Sequence, residues 1–167
     1  YYQHFFDDRS GMEWYNTWDG LRGIELRLPR LRWLNKVVVE HLSTMDQSGP
    51  LHFIEFDHDK YPGYGGGADN YYNNGEYTTG ASYFNRSLGS PFLISPEYNK
   101  NGLLGFRHNR VRAWHLGISG QVCRDVTYRV KASSVESFGT PYAPTLRNLT
   151  LFSIVTDWRY TYRSRSG

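Results

Sequence analysis

Hydrophobic and polar residues alternate along five stretches of the chain, and a period of two is the signature of β-strands. In the clearest stretch, 126–135, apolar side chains share one face while Thr127, Arg129 and Lys131 share the other. This pattern predicts an all-β fold without a helical domain. The predicted strands cover residues 23–28, 36–44, 110–119, 126–135 and 151–162.

The length of these stretches points to a membrane. The last three run to about ten residues, close to the roughly 9–11 that cross a bilayer when tilted, whereas strands of soluble proteins average about five or six. Tyr and Trp lie towards the segment ends, and Arg, Lys, Glu and Asp occupy the opposite face. Aromatic girdles and a wet lumen explain both features, so we predict an antiparallel transmembrane β-barrel segment. A soluble sheet with one wet face gives the same alternation and remains the alternative.

The connecting segments differ in length from one end of the strands to the other. The pattern breaks between residues 45 and 109, where Gly, Pro, Asn and Ser indicate a long outer or luminal loop region. A second long connector is predicted at 136–148, and short ones at 29–35 and 120–125. Because outer-membrane barrels have long extracellular loops and short periplasmic turns, the long connectors are expected outside.

The number of strands is too small for a closed barrel. It is five, or seven if residues 76–84 and 89–94 also form strands. A bacterial single-chain barrel has at least about eight strands, and lipid does not tolerate open sheet edges. We therefore expect residues 1–167 to be part of one barrel domain, incomplete as given. Its partners would be membrane lipid and the remainder of its own barrel or a larger outer-membrane assembly.

Composition narrows the class of partner. Aromatic residues make up 17% of a chain whose mean hydropathy is −0.63, and amphipathic rings suit sugar-binding surfaces and membrane girdles alike. The net charge of +3 is spread without a basic stripe, so nucleic acid is not an expected partner. No run approaches the roughly 20 apolar residues of a membrane-spanning helix. Cys123 is the sole cysteine and has no metal-ligand spacing around it.

Several motifs resemble the capsule assembly Wzi family of Gram-negative outer membranes. They are DNYYNNGEYTTG at 69–80, NRSLGSP at 85–91, SPEYN at 95–99, NRVRAWHLG at 109–117, YRV at 128–130 and FGTPY at 138–142. The resemblance implies a large outer-membrane barrel of which this chain is the C-terminal portion. It also implies a lectin-like role, in which the barrel binds or assembles capsular polysaccharide or exopolysaccharide at the cell surface without catalysis.

Sugar binding needs flat faces to stack on rings and fixed groups that hydrogen-bond to hydroxyls. One Gly-flanked loop supplies both, and two strands supply cations that attract acidic polysaccharide. The candidates are Tyr71, Tyr72, Asn73, Asn74, Glu76 and Tyr77 from the loop, and Arg112, Arg129 and Lys131 from the strands. Alternatively, the loop residues pack the loop against itself, with Asn74-Gly75 forming a turn, and neighbouring acids neutralise the cations.

Other chemistry is less well supported by the sequence. Glu55, Asp57 and Asp59 beside His58 can supply oxygen ligands for a cation, but an exposed acidic loop is the favoured interpretation, so no metal and no cofactor are expected. No serine has the G-x-S-x-G spacing of a hydrolase nucleophile, and no catalytic residue is predicted. Two rival functions remain: a soluble β-sandwich carbohydrate-binding module, and an outer-membrane hydrolase of lipid or glycan.

Overall fold

The computed structural model describes residues 1–4, 18–47 and 69–162. These residues form strands, turns and two 3-10 turns at Pro96–Tyr98 and Lys100–Gly102, and none of them forms a helix long and apolar enough to cross a membrane. The strands are β1 Tyr2–Gln3, β2 Gly20–Arg27, β3 Lys36–Ser43, β4 Ser82–Tyr83, β5 Arg86–Ser87, β6 Val111–Cys123, β7 Val126–Gly139 and β8 Pro144–Tyr160.

One antiparallel sheet organises the described chain. Its order is β1-β2-β3-β6-β7-β8, and β4 and β5 form a separate hairpin. The all-β, antiparallel prediction is therefore confirmed, and the five predicted strands are all present. Within the described residues β8 pairs only with β7, and β1 only with β2, so the sheet is open.

The predicted boundary of one short connector needs correction. The turn expected at 120–125 is only Arg124 and Asp125, because β6 continues through Cys123. The connector from β2 to β3 supports this extension: Gln121 N–H donates to the Arg32 carbonyl at 2.7 Å. Gly120 permits the close approach, since a Cβ there would collide with the Trp33 carbonyl oxygen.

The long loop predicted at 136–148 is wrong. β7 and β8 stay paired as far as Ser137 with Leu149 and Gly139 with Pro144, which leaves only residues 140–143 as the connection. Backbone pairing does not require apolar alternation, so polar residues at this end extend the ladder instead of ending it. Gly139 has φ +82°, and its Cβ would collide with the Ala143 carbonyl oxygen, so glycine is required at this bend.

The two additional strands predicted between β3 and β6, at 76–84 and 89–94, are also wrong. Within 76–84 only β4 is extended, and 89–94 forms no strand. The reason is local: Phe84 and Asn85 both have positive φ and reverse the chain into the short β4–β5 hairpin. No described residue between β3 and β6 therefore adds a strand to the main sheet.

The register divides the main sheet into two chemically different faces. The apolar face carries the row Ile24, Val39, Leu116, Ala132 and Ile154, and the next row Leu26, Val37, Ile118, Val130 and Thr156. The polar face carries the row Gly23, Glu40, His115, Ser133 and Ser153, and the row Arg27, Lys36, Ser119, Arg129 and Asp157.

The buried core lies on the polar face, near one end of the sheet. Residues 69–109 fold back over this face. Leu93 and Phe106 of this segment pack against the strand residues Leu42, Ala113 and Val135. The core cluster is Leu42, Leu93, Phe106, Val111, Ala113 and Val135. We refer to the end of the sheet near this loop as the loop end, and to the end at connectors 28–35 and 124–125 as the turn end.

Candidate functional site

A buried carboxylate fixes the chain where it leaves β3. Asp19, which precedes β2 and is fully buried, accepts hydrogen bonds from the backbone N–H groups of Met45, Asp46 and Gln47 at 2.6–3.2 Å. It also accepts one from the Ser43 hydroxyl at 3.2 Å. Four donors of one turn thus share a single acceptor group, which sets the direction in which the loop begins.

Two buried amides then attach the far side of the loop to the sheet. Gln47 Nε2 donates to the Asn109 carbonyl at 3.1 Å, and its Oε1 accepts from Tyr71 N–H at 3.0 Å. Asn109 Nδ2 donates to Asn70 Oδ1 and to the Tyr71 carbonyl, both at 2.6 Å. Because buried amides need all of these partners, this network holds residues 69–73 in one position over the loop end.

The candidate loop 71–77 separates into an anchored part and an exposed tip. Tyr71 is buried, and Tyr72 is half-buried, with its ring 5.9 Å from that of Phe106. Asn73 is committed to Phe106 through two hydrogen bonds of 2.7 and 2.9 Å. Burial raises the pKa of the Tyr72 hydroxyl, which therefore stays protonated at neutral pH.

The tip of the same loop is open to solvent. Asn74 Oδ1 accepts from the N–H groups of Glu76 and Tyr77 at 2.8 and 2.9 Å, which makes a turn stabilised by the Asn side chain. The Tyr77 ring is 72% exposed. Asn74 therefore shapes the tip, while Glu76 and Tyr77 are its accessible groups.

A cavity of about 1120 Å³ lies between the polar face and residues 89–98. It reaches from Gln3 of β1 to Val155 of β8, and three aromatic rings from the loop, those of Tyr72, Phe92 and Tyr98, line it. Its volume is at the upper end of the roughly 300–1,000 Å³ of small-molecule sites. The space suits an elongated ligand that contacts both the sheet and the loop.

Polar side chains of the strands form part of the floor of this cavity, beside apolar ones such as Leu42, Val135 and Leu151. His115 Nδ1 lies 2.7 Å from Ser133 Oγ, and the Phe92 ring packs 6.1 Å from the imidazole. Glu40 is the cross-strand neighbour of His115 and receives a hydrogen bond from the Tyr1 hydroxyl. The floor therefore offers an acid, an imidazole and hydroxyls beside aromatic rings, a combination that can bind polyhydroxylated molecules.

The three candidate cations lie in different places. Lys131 lines the cavity, and Arg129 shares its face one step closer to the turn end, opposite Asp157. Arg112 lies on the apolar face, where its guanidinium is 5.4 Å from the centre of the Phe138 ring. The cations therefore do not form one row. Gly117, which lies opposite Lys131, and Arg112 are five positions apart on the same strand, and an odd spacing puts them on opposite faces.

Sequence reasoning missed most of the cavity lining. The motifs at 85–91 and 95–99 did not indicate that segment 89–98 lines a cavity. Glu40 and Ser133 belong to no motif, since only the register places Glu40, His115 and Ser133 side by side. Alternation within β6 and within β7 places His115 and Lys131 each on the polar side of its own strand, a signal that could have pointed to both residues. The acidic cluster Glu55, Asp57, Asp59 and His58 lies outside the described residues.

Among the residues with described positions, no group of three or more His, Cys, Asp or Glu side chains is placed to hold a metal ion. No protein-family model, curated protein or solved structure matches the chain.

Proposed function

We propose that this chain forms part of the wall of an outer-membrane β-barrel of the Wzi type. In this proposal its apolar face contacts lipid, and its polar face, together with segment 89–98, binds capsular polysaccharide or exopolysaccharide without catalysis. The loop end faces the cell exterior, and the turn end faces the periplasm.

The observation that carries the proposal is the inverted distribution of polarity over the two faces. The loop covers part of the polar face, whereas the apolar face is left open: Ile24 is 67%, Leu116 46% and Ile154 60% exposed. A water-soluble sheet buries its apolar face first, because each fully buried aliphatic side chain contributes roughly 1.5–3 kcal/mol. Lipid removes that requirement and makes the open apolar face favourable.

The dimensions of the apolar face agree with this placement. Trp114 and Val122 are eight residue steps apart on β6, which is about 27 Å at about 3.4 Å per step and about 21 Å high after a tilt of about 40°. Aromatic rings lie near both limits, with Trp114 at the loop end and the Tyr128–Trp158 pair, 5.8 Å apart, in the row of Gly120, two steps before Val122. The rows between them carry no charged residue.

The cavity supports the polysaccharide part of the proposal. Exposed Tyr98 and half-buried Tyr72 supply ring faces, Lys131 supplies a positive charge, and Glu40 and Ser133 supply groups that hydrogen-bond to hydroxyls. A sugar chain would enter along the loop rather than at the exposed tip of 71–77. Tyr98 and Tyr77 therefore distinguish the two locations.

Membrane placement is tested with the full-length protein and phosphatidylcholine vesicles. We expect the protein to float with the vesicles and to keep its β-sheet circular dichroism after a high-salt wash. Recovery in the aqueous fraction as a folded protein would reject the barrel and favour the soluble carbohydrate-binding module.

Polysaccharide binding is tested by substitution at the cavity. Tyr98→Ala should weaken binding of the host's purified surface polysaccharide about tenfold, as expected from the loss of about 1.5 kcal/mol of ring stacking. Lys131→Ala should weaken the binding of acidic polysaccharide only, and this effect should be smaller in high salt. Tyr83→Ala, an exposed tyrosine outside the lining, is the control. Loss of binding in Tyr77→Ala with Tyr98→Ala unaffected would move the site to the tip of the loop.

A hydrolase is the second candidate, and one contact favours it: His115 Nδ1 lies 2.7 Å from Ser133 Oγ, a separation compatible with a nucleophile and its base. Reaction of Ser133 with a fluorophosphonate probe, lost in His115→Gln, would bring this candidate forward. We expect no labelling, because Glu40 accepts a hydrogen bond from the Tyr1 hydroxyl and no third group among the described residues hydrogen-bonds to the His115 imidazole.

A further inference from the structure

The polar face of the sheet changes character at its last strand. On β8 the residues that share this face with Ser153 include Leu149, Leu151 and Val155, which are 42%, 47% and 58% exposed and line the cavity. We refer to these three residues as the apolar strip. The wall of a water-filled lumen is polar, so apolar side chains that line a cavity in such a wall indicate that the ligand carries apolar groups as well.

The segment on the other side of the cavity adds further apolar surface. Residues 91–94, whose sequence is PFLI, line the cavity together with the apolar strip. Leu93 belongs to the buried core cluster, and the Phe92 N–H donates to Ser90 Oγ at 3.3 Å. Because these contacts fix the segment, a ligand meets apolar groups from both the sheet and the loop without having to order them first.

The apolar strip is too short and too interrupted for a long hydrocarbon chain. Ser153 lies between Leu151 and Val155 on this face. Lys131 is the cross-strand partner of Val155, and Asp157 is the next residue of β8 on the same face. Side chains that follow one another on one face of a strand are about 7 Å apart. The strip therefore suits apolar groups of a few atoms that alternate with polar ones.

Ser153 supplies a hydroxyl in the middle of the strip. The described chain gives this hydroxyl no hydrogen-bond partner, whereas the Oγ of its cross-strand neighbour Ser133 lies 2.7 Å from His115 Nδ1. A hydroxyl donor between two aliphatic side chains matches a carbonyl oxygen that is bonded to a small alkyl group. On a sugar, an acyl ester has this combination.

We propose that the cavity binds a polysaccharide whose sugars carry short O-acyl esters such as acetate. The ester carbonyl accepts a hydrogen bond from the Ser153 hydroxyl, and the alkyl group contacts the apolar strip. The free sugar hydroxyls face Glu40 and His115 on the polar side of the floor. This inference rests on the proposed polysaccharide binding and names the chemical class of the ligand. The methyl group of a deoxy sugar would match the strip but would leave the Ser153 hydroxyl without an acceptor.

The test compares two forms of the host's purified surface polysaccharide, before and after mild alkali removes its esters at unchanged chain length. NMR gives the ester content, and calorimetric titration of the full-length protein in detergent micelles gives the affinities. We expect the de-esterified form to bind about tenfold more weakly. Ser153→Ala should weaken the native form about fivefold and leave the de-esterified form unchanged, because one hydrogen bond to the ester is lost. Ser134→Ala, on the opposite face of the sheet, is the matched control and should change neither affinity.

The remaining outcomes overturn the proposal. A surface polysaccharide without acyl esters, or equal affinity for its two forms, rejects ester recognition. If the two forms bind equally and Leu151→Asn weakens both, the strip contacts methyl groups of deoxy sugars instead. An ester preference that Ser153→Ala leaves intact places the ester outside the strip. Equal binding of both forms that Tyr98→Ala still weakens keeps the proposed polysaccharide site and rejects only this inference, whereas no binding of either form rejects both.

Discussion

Asp19 shows how much of the loop's position depends on one side chain. Its two oxygens serve four donors of the turn after β3, and it is fully buried, so water cannot replace it. Asp46 donates its backbone N–H to Asp19, but its own side chain is exposed and makes none of these contacts. The pair provides a matched comparison.

We expect Asp19→Ala to lower the free energy of unfolding by about 3 kcal/mol, because buried backbone donors lose their acceptor. Asp46→Ala should change it by less than about 0.5 kcal/mol. Urea titration of the vesicle-inserted protein measures both. Equal effects of the two substitutions would contradict the role of Asp19.

The burial of His108, at the same end of the sheet, predicts that the stability of the fold depends on pH. Burial lowers the pKa of this imidazole, whose Nδ1 lies 2.9 Å from Ser137 Oγ. Because the folded state disfavours the protonated imidazole, the contribution of His108 to the free energy of unfolding is fully present above the unfolded pKa of about 6.5. It falls as the pH drops below that value. Thermal unfolding at pH 7.5 and 5.5 should show this loss, and His108→Gln should reduce it. An unchanged difference in the variant would assign the pH dependence to other groups.

At the scale of the elements, β8 presents both environments in adjacent residues. Ile154 continues the apolar row from β2 to β8, and Ser153 continues the row of His115 and Ser133 on the polar face. Both residues pair with β7, and they differ in the face of the sheet on which their side chains lie. They therefore report on what each face contacts.

We expect Ile154→Arg to reduce the stability of the lipid-inserted protein by about 2–4 kcal/mol, because a cation at mid-membrane depth loses its hydration. Ser153→Arg, which faces the wet side, should cost less than about 1 kcal/mol. Folding yield into vesicles of both variants is the measurement. Equal tolerance would indicate that the apolar face meets water or protein instead of lipid.

The elements themselves were largely predictable, because alternation and residue type are local properties. Segment 126–135 lies wholly within β7, and segments 23–28 and 36–44 lie in β2 and β3 except for their last residues, Leu28 and Thr44. The ends of the strands were not predictable, since β7 and β8 extend by backbone pairing that polar residues permit. The exposed tip at Asn74 was predictable from its turn chemistry, whereas the cavity required a register that brings Glu40, His115 and Ser133 together from three strands.

At the scale of the whole molecule, the outer edge of the long strand β8 has no strand partner among the described residues. β8 spans 17 residues, and only one of its sides pairs with β7. In lipid the backbone groups on the other side need partners. The proposed membrane placement therefore requires a further strand against β8, from the same protein or from a second copy.

Hydrogen exchange of the full-length protein in vesicles tests this requirement. We expect nearly all amides of β8 between residues 150 and 158 to exchange as slowly as those of β7, while those of the turn at Arg124 and Asp125 exchange fast. Fast exchange at every second residue of β8 would mean that its outer edge stays unpaired.

The buried amide network also has a consequence for the order of folding. Thr44 and Val111, which hydrogen-bond to each other at 3.0 Å, are 67 residues apart in the chain. Such distant contacts form late, after neighbouring strands have reduced the entropy of closing the loop. Until then Leu93 and Phe106 stay uncovered, so newly made chains pass through a stage in which proteases can cut near these two residues, which the finished molecule buries.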